Sequence, residues 1–167
     1  MVIIGIDPGL AHTGWGVIEW QSDAWRARAY GCIDTKSTDS LTRRLSQIHE
    51  GIAGVIDQYQ VLDASVEDVF FGTNARTAFS LGQARGSALL ACVHCPGQVG
   101  EYSPNSIKQY IVGHGHADKD QIAYMVQMLL GLDHVPRPDH CSDALAVALT
   151  HGFTLKAVGH LKRKVVS

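Results

Sequence analysis

A chain of 167 residues is long enough for one domain with a proper hydrophobic core, and its 46% apolar and 18% charged content excludes a disordered chain. No apolar run approaches the roughly 20 residues of a membrane span, and Asp7-Pro8-Gly9 cuts the N-terminal apolar segment too short for a signal peptide, so the expected compartment is the cytoplasm. A formal charge of −2 argues against a protein that coats nucleic acid over its whole surface, although Arg43, Arg44, Arg76, Arg85, Lys108 and Lys119 leave room for a local basic groove.

Ile3-Ile4-Gly5-Ile6 is a β-branched run that reads as a buried strand. It ends on Asp7, and Pro8-Gly9 turns the chain, which puts the carboxylate at the strand mouth, where α/β proteins hold ligands. An Asp that merely caps the turn would look the same. Residues 13–20 repeat a strand pattern, so the first two strands are expected to form a hairpin, and residues 25–33 alternate as a third strand. After a polar stretch, Leu41, Leu45, Ile48, Ile52, Val55, Ile56 and Tyr59 form one apolar helical stripe, with Ser40 placed to cap it.

Residues 64–71 form a fourth strand pattern that two acids, Glu67 and Asp68, interrupt. Neighbours on a strand face opposite sides, so only one of the two shares a face with Ser65 and Val69; an edge strand with one wet face is the plain explanation. A second long helix is expected from about 74 to 94. Gly82 and Gly86 cost it about 1 kcal/mol each relative to alanine, which suggests a close helix crossing, internal or between subunits.

Pro96-Gly97 ends that helix, and residues 98–102 suit a short fifth strand. Ser103 and Pro104 form a natural helix start, with the helix closing near Gly113. Asp118 to Gln121 has capping-box spacing, ahead of a periodic helix carrying Ile122, Met125, Val126, Leu129 and Leu130. A last helix is expected from about His140. Residues 156–167, with Lys156, Lys162, Arg163 and Lys164, read as a frayed basic tail behind one domain over 1–155. The order predicts a mixed α/β sheet of five strands with an antiparallel hairpin at one side, flanked by helices.

Cys92 and Cys95 have the spacing of half a zinc site or a redox pair, but no matching second pair follows, and buried thiols are the expected reading. His12, His114 and His116 fall in loops and receive no role. The residues that carry chemistry are Asp7, Glu67, His140 and Asp143. His140 and Asp143 stand three apart at a helix start and face one way. If the first and fourth strands are neighbours, three carboxylates and one imidazole converge at a sheet end. Uncompensated, they would repel and raise one another's pKa; Mg²⁺ or Mn²⁺, which favour such oxygen-rich clusters, would relieve this.

Four segments in order, Ile4-Gly5-Ile6-Asp7-Pro8-Gly9, Val66-Glu67-Asp68-Val69-Phe70, Leu81-Gly82-Gln83-Ala84-Arg85-Gly86 and Asp143-Ala144-Leu145-Ala146, resemble the RuvC family of Holliday-junction resolvases over about residues 2–153. The resemblance implies a ribonuclease H-like nuclease domain and a structure-selective endonuclease. Such an enzyme resolves four-way DNA junctions by paired, metal-dependent cuts in strands of like polarity, in recombination and repair. It further implies a bacterial setting, a homodimer, two Mg²⁺ or Mn²⁺ ions per subunit, and a branch-migration motor of the RuvA and RuvB type as partner. By position, Asp7, Glu67 and Asp143 match the family's catalytic carboxylates. His140 falls where many members carry a fourth acid; Asp139 is adjacent, but the three-residue spacing to Asp143 selects His140. Because an imidazole replaces an oxygen donor there, Mn²⁺ is expected to be preferred. Lys108 and Lys119 match basic positions near the scissile phosphate, Phe70 an aromatic at the opened junction centre, and Arg76 is a further candidate DNA contact. Two other readings remain open on residues alone: an ATP-binding fold of the sugar-kinase and actin type, and a junction-binding module without catalysis.

Overall fold

A computed structural model describes residues 1–68 and 75–165, the side chains of Arg76 and of residues 159–165 excepted. The chain runs β1 (Val2–Asp7), β2 (His12–Gln21), β3 (Ala24–Asp34), α1 (Leu41–Tyr59), β4 (Asp63–Glu67), α2 (Ala75–Ala91), β5 (Val99–Tyr102), α3 (Pro104–Val112), α4 (Lys119–Leu130) and α5 (Asp139–Val165). The strands form one sheet in the order β3-β2-β1-β4-β5. β1, β2 and β3 are an antiparallel meander, whereas β4 pairs parallel with both β1 and β5.

The two-residue period of β1 sorts its side chains between two cores. Ile4 and Ile6 join Val17, Ala64 and Val66 against Ile48, Ile52 and Ile56 of α1 and Ala84 and Ala88 of α2. Ile3 and Ile18 face the other way, onto Leu145, Ala148 and Leu149 of α5, with α3 and α4 behind them. Leu145 and Leu149 are fully buried, so truncating either to Ala would cost about 2–5 kcal/mol.

Local signals place most helix starts. Ser40 accepts the Arg43 backbone N–H at 3.3 Å, Ser103 accepts that of Ser106 at 3.2 Å, and Asp118 and Gln121 complete a reciprocal capping box. Gly113 ends α3 at φ 92°, in the left-handed region that suits glycine.

Several readings are altered or fall outside the described residues. The edge-strand alternative for β4 does not hold: the strand lies between β1 and β5, with Glu67 as its last residue and Asp68 just beyond it. β4 ends at Glu67; Val69 to Phe71 of the expected strand, Phe70 among them, lie outside the described residues. Among the described residues, a Cβ added at Gly82 or Gly86 would meet nothing within 4 Å, so these glycines serve no internal helix crossing. Finally, α5 continues to Val165, through the stretch read as a frayed tail.

Candidate active site

β1 and β4 run parallel with Ile6 opposite Val66, so the next residue on each strand, Asp7 and Glu67, emerge side by side at the same sheet end. Asp7 shares a strand face with Ile3 and Gly5, and Glu67 shares one with Ser65, whose hydroxyl donates to the Ile4 carbonyl at 3.0 Å. That face is the one covered by α5.

Glycines set how closely α5 lies. A Cβ on Gly5 would collide with the Ala144 carbonyl oxygen and the Ala148 amide, and one on Gly14 would collide with the His140 carbonyl. Gly14 is in turn the β2 partner of Asp7. The first turn of α5 therefore rests directly on the sheet beside Asp7. His140 donates from Nδ1 to Asp7 Oδ2 at 2.7 Å, and Asp143, one turn on, approaches the same point. Ligand atoms of Asp7, His140 and Asp143 all lie within 4.8 Å of one another. Asp139, the neighbour that sequence spacing set aside, pairs instead with Arg137.

Two lysines close the other side. Lys119, the first residue of α4, holds its Nζ 3.5 Å from Asp143 Oδ2 with its side chain 77% exposed. Lys108 of α3 lines the same cleft, about 370 Å³ in volume, along with Asp7, Glu67, His140, Asp143, Pro104 and Ile107. The cleft thus has an acidic floor, an apolar wall and a basic rim.

Burial, with Asp7 and Asp143 as negative neighbours, pushes the Glu67 carboxyl up to about 8; Lys119 opposes the shift. Burial and Asp7 likewise raise Asp143, against Lys119 and His140. The hydrogen bond to Asp7 raises His140 despite its burial. Three carboxylates with too little positive charge among them, beside one imidazole, make a donor set that fits Mg²⁺ or Mn²⁺, and the raised carboxyls are the repulsion such an ion would relieve.

The structure therefore brings together six of the sequence-predicted residues: Asp7, Glu67, His140, Asp143, Lys108 and Lys119. Phe70 lies outside the described residues. Arg76 sits in the first turn of α2, and its side chain is likewise outside them. Sequence reading passed over His12, whose ring stacks on His140 with centroids 5.7 Å apart and which pairs with Asp34 at 2.7 Å. Starting the second strand one residue earlier would have revealed it, because β2 begins at His12 and pairs it with Asp34. Cys92 and Cys95 are buried free thiols, which burial pushes up to about 12 and 11.

A family model described as crossover junction endodeoxyribonuclease RuvC matches residues 3–151. A RuvC from Clostridioides difficile is 41% identical over 162 residues, spanning 97% of this chain and 96% of the relative. A RuvC from Moorella thermoacetica is 46% identical over 151 residues, 90% of each. Among solved structures, Thermus thermophilus RuvC in complex with Holliday junction substrate superimposes with a TM-score of 0.88 at 36% identity, covering 94% of this chain and 96% of that one. The yeast mitochondrial Holliday junction resolvase Ydc2, 10% identical with a TM-score of 0.64, shares the fold alone. With the matched segment covering nearly the whole chain and the acidic cleft at its centre, this protein belongs to the RuvC family of crossover junction endodeoxyribonucleases.

Proposed function

We propose that this protein resolves four-way DNA junctions by metal-dependent hydrolysis of a phosphodiester in each of two strands of like polarity. The observation that carries the reading is the convergence of Asp7, Glu67, His140 and Asp143 at one sheet end beneath Lys108 and Lys119. Asp7, Glu67 and Asp143 are the metal-holding carboxylates. Two bound Mg²⁺ or Mn²⁺ ions would activate a water and stabilise both the attacking and the leaving oxygen of the displacement. His140 supplies a nitrogen donor and fixes the Asp7 carboxylate through their 2.7 Å contact. Lys119 and Lys108 draw the scissile phosphate over the acids, and Lys119, already beside Asp143, is placed to stabilise charge that grows as the bond breaks. Arg76 and Phe70 are assigned to DNA, Phe70 by stacking on a base at the junction centre, worth ~1–3 kcal/mol.

Paired cuts need two such clefts, so the working enzyme is a homodimer, acting in the bacterial cytoplasm with a branch-migration motor of the RuvA and RuvB type. Among the described residues, no helix is long and apolar enough to cross a membrane. The nitrogen donor of His140 favours Mn²⁺ over Mg²⁺.

The test is a labelled synthetic four-way junction incubated with the protein and each ion. Symmetric nicks in two strands are expected, with Asp7→Asn binding the junction but leaving it whole. Intact junctions with wild type in both ions, or cutting by Asp7→Asn at the wild-type rate, would overturn the assignment.

A further inference from the structure

We propose that His12, Cys32 and Asp34 form a second metal site, beside the carboxylate cleft but separate from it, that takes a single divalent ion of the zinc class. The β2–β3 register builds it: His12 pairs with Asp34, and Gly14 with Cys32. Positions 12 and 14 share a face of β2 and 32 and 34 share a face of β3, so the three side chains gather on one side of the strand pair. Gly14, opposite Cys32, adds no side chain of its own, and the space beside it is taken by the His140 backbone. His12 Nδ1 lies 2.7 Å from Asp34 Oδ1, Cys32 Sγ lies 3.3 Å from the same oxygen, and ligand atoms of all three residues fall within 4.8 Å of one another.

Zinc bonds of about 2.0–2.3 Å in a tetrahedron put neighbouring ligand atoms roughly 3–4 Å apart. An ion therefore enters with side-chain adjustments only and no movement of backbone. One nitrogen, one sulfur and one oxygen form a softer set than the carboxylate cleft offers, which selects zinc-class ions over Mg²⁺. The Cys32 thiol gives up its proton to solvent as the metal–sulfur bond forms. His12 and Asp34 have side chains 56% and 70% exposed, so an ion reaches them from solvent, and three protein ligands leave the fourth position for water.

The site rests on strand register alone and not on the nuclease reading, so its test uses the full-length protein without DNA. Co²⁺ is the probe, since a cobalt–thiolate bond gives a charge-transfer band in the near ultraviolet. The expected result is a band that saturates at one ion per chain, is displaced by Zn²⁺, and withstands excess Mg²⁺. Cys32→Ser should abolish the band, and His12→Ala should weaken Co²⁺ binding roughly tenfold or more. Asp7→Asn should keep the band, because Asp7 belongs to the other site. Thermal midpoints of the metal-free variants serve as the folding check. A missing band in wild type, a band that survives Cys32→Ser, or one lost in Asp7→Asn would each overturn the proposal.

Discussion

Glu67 occupies a position that is costly for a carboxylate when no cation is present. Its pKa is raised to about 8 by burial and by Asp7 and Asp143, so in the folded protein it keeps a proton that the unfolded chain has already released. Over the window from the model-peptide value of about 4.3 up to about 8, stability therefore falls as pH rises. Glu67→Gln removes the charge while keeping the shape. In metal-free protein it should raise the thermal midpoint by several degrees near pH 9, with the gain shrinking as pH drops through 8; the same variant should cut no junctions. A lower midpoint at pH 9 would show that Glu67 is not held against its charge. His140 carries the second residue-scale expectation. Wild type should saturate at a lower Mn²⁺ than Mg²⁺ concentration, and His140→Asp should narrow that difference by restoring an oxygen donor. Equal ratios in the two proteins, read by metal titration of single-turnover cleavage, would reduce His140 to a positioning partner of Asp7.

At the scale of elements, the spacing of the cleft is set by how near α5 can come to β1 and β2. Gly14 meets the His140 carbonyl with no room for a Cβ, so Gly14→Ala must push the first turn of α5 outward. Overpacking of this kind costs about 1–3 kcal/mol, and moving His140 and Asp143 away from Asp7 should slow cleavage more than it weakens junction binding. Gly54, within α1, is the natural contrast, since a Cβ there would meet nothing within 4 Å. Gly54→Ala should stabilise by about 0.4–1 kcal/mol with cleavage unchanged. Chemical denaturation and single-turnover rates on the two variants test both statements, and a neutral Gly14→Ala would show that α5 is not held at contact distance.

For the whole molecule, the exposed side of α2 is the surface on which paired cutting is expected to depend. Phe79 and Leu90 stand 69% and 64% exposed, and Gly82 and Gly86 present bare backbone between them. Apolar side chains in such a row are a common mark of an interface. If the homodimer forms through this helix, Phe79→Glu should halve the mass measured by sedimentation. It should leave junctions with uncoordinated single nicks, while the fold, to which Phe79 contributes little buried surface, stays intact. An unchanged mass would place the dimer contact elsewhere.

The elements themselves were legible in the sequence because their signals are local. Ser40, Ser103 and Asp118 cap helices by reaching only a few residues along the chain, and the alternation of Ile3, Ile4 and Ile6 already encodes two cores. The acids were legible too: Asp7 precedes a turn that must end its strand, and Asp143 follows His140 by one helical turn. What the sequence could not contain was adjacency. Glu67 could be a site acid or the wet end of an edge strand until β4 is seen to insert between β1 and β5, and that pairing joins residues sixty positions apart. His12 reads as loop until its register with Asp34 is known, because hydrogen bonding across strands, not the residue's own propensity, decides where β2 begins. The distance from α5 to the sheet is likewise tertiary. Gly5 and Gly14 are merely small residues in a strand until the helix that needs the space of their missing side chains is laid across them, and only that contact carries His140 and Asp143 to Asp7.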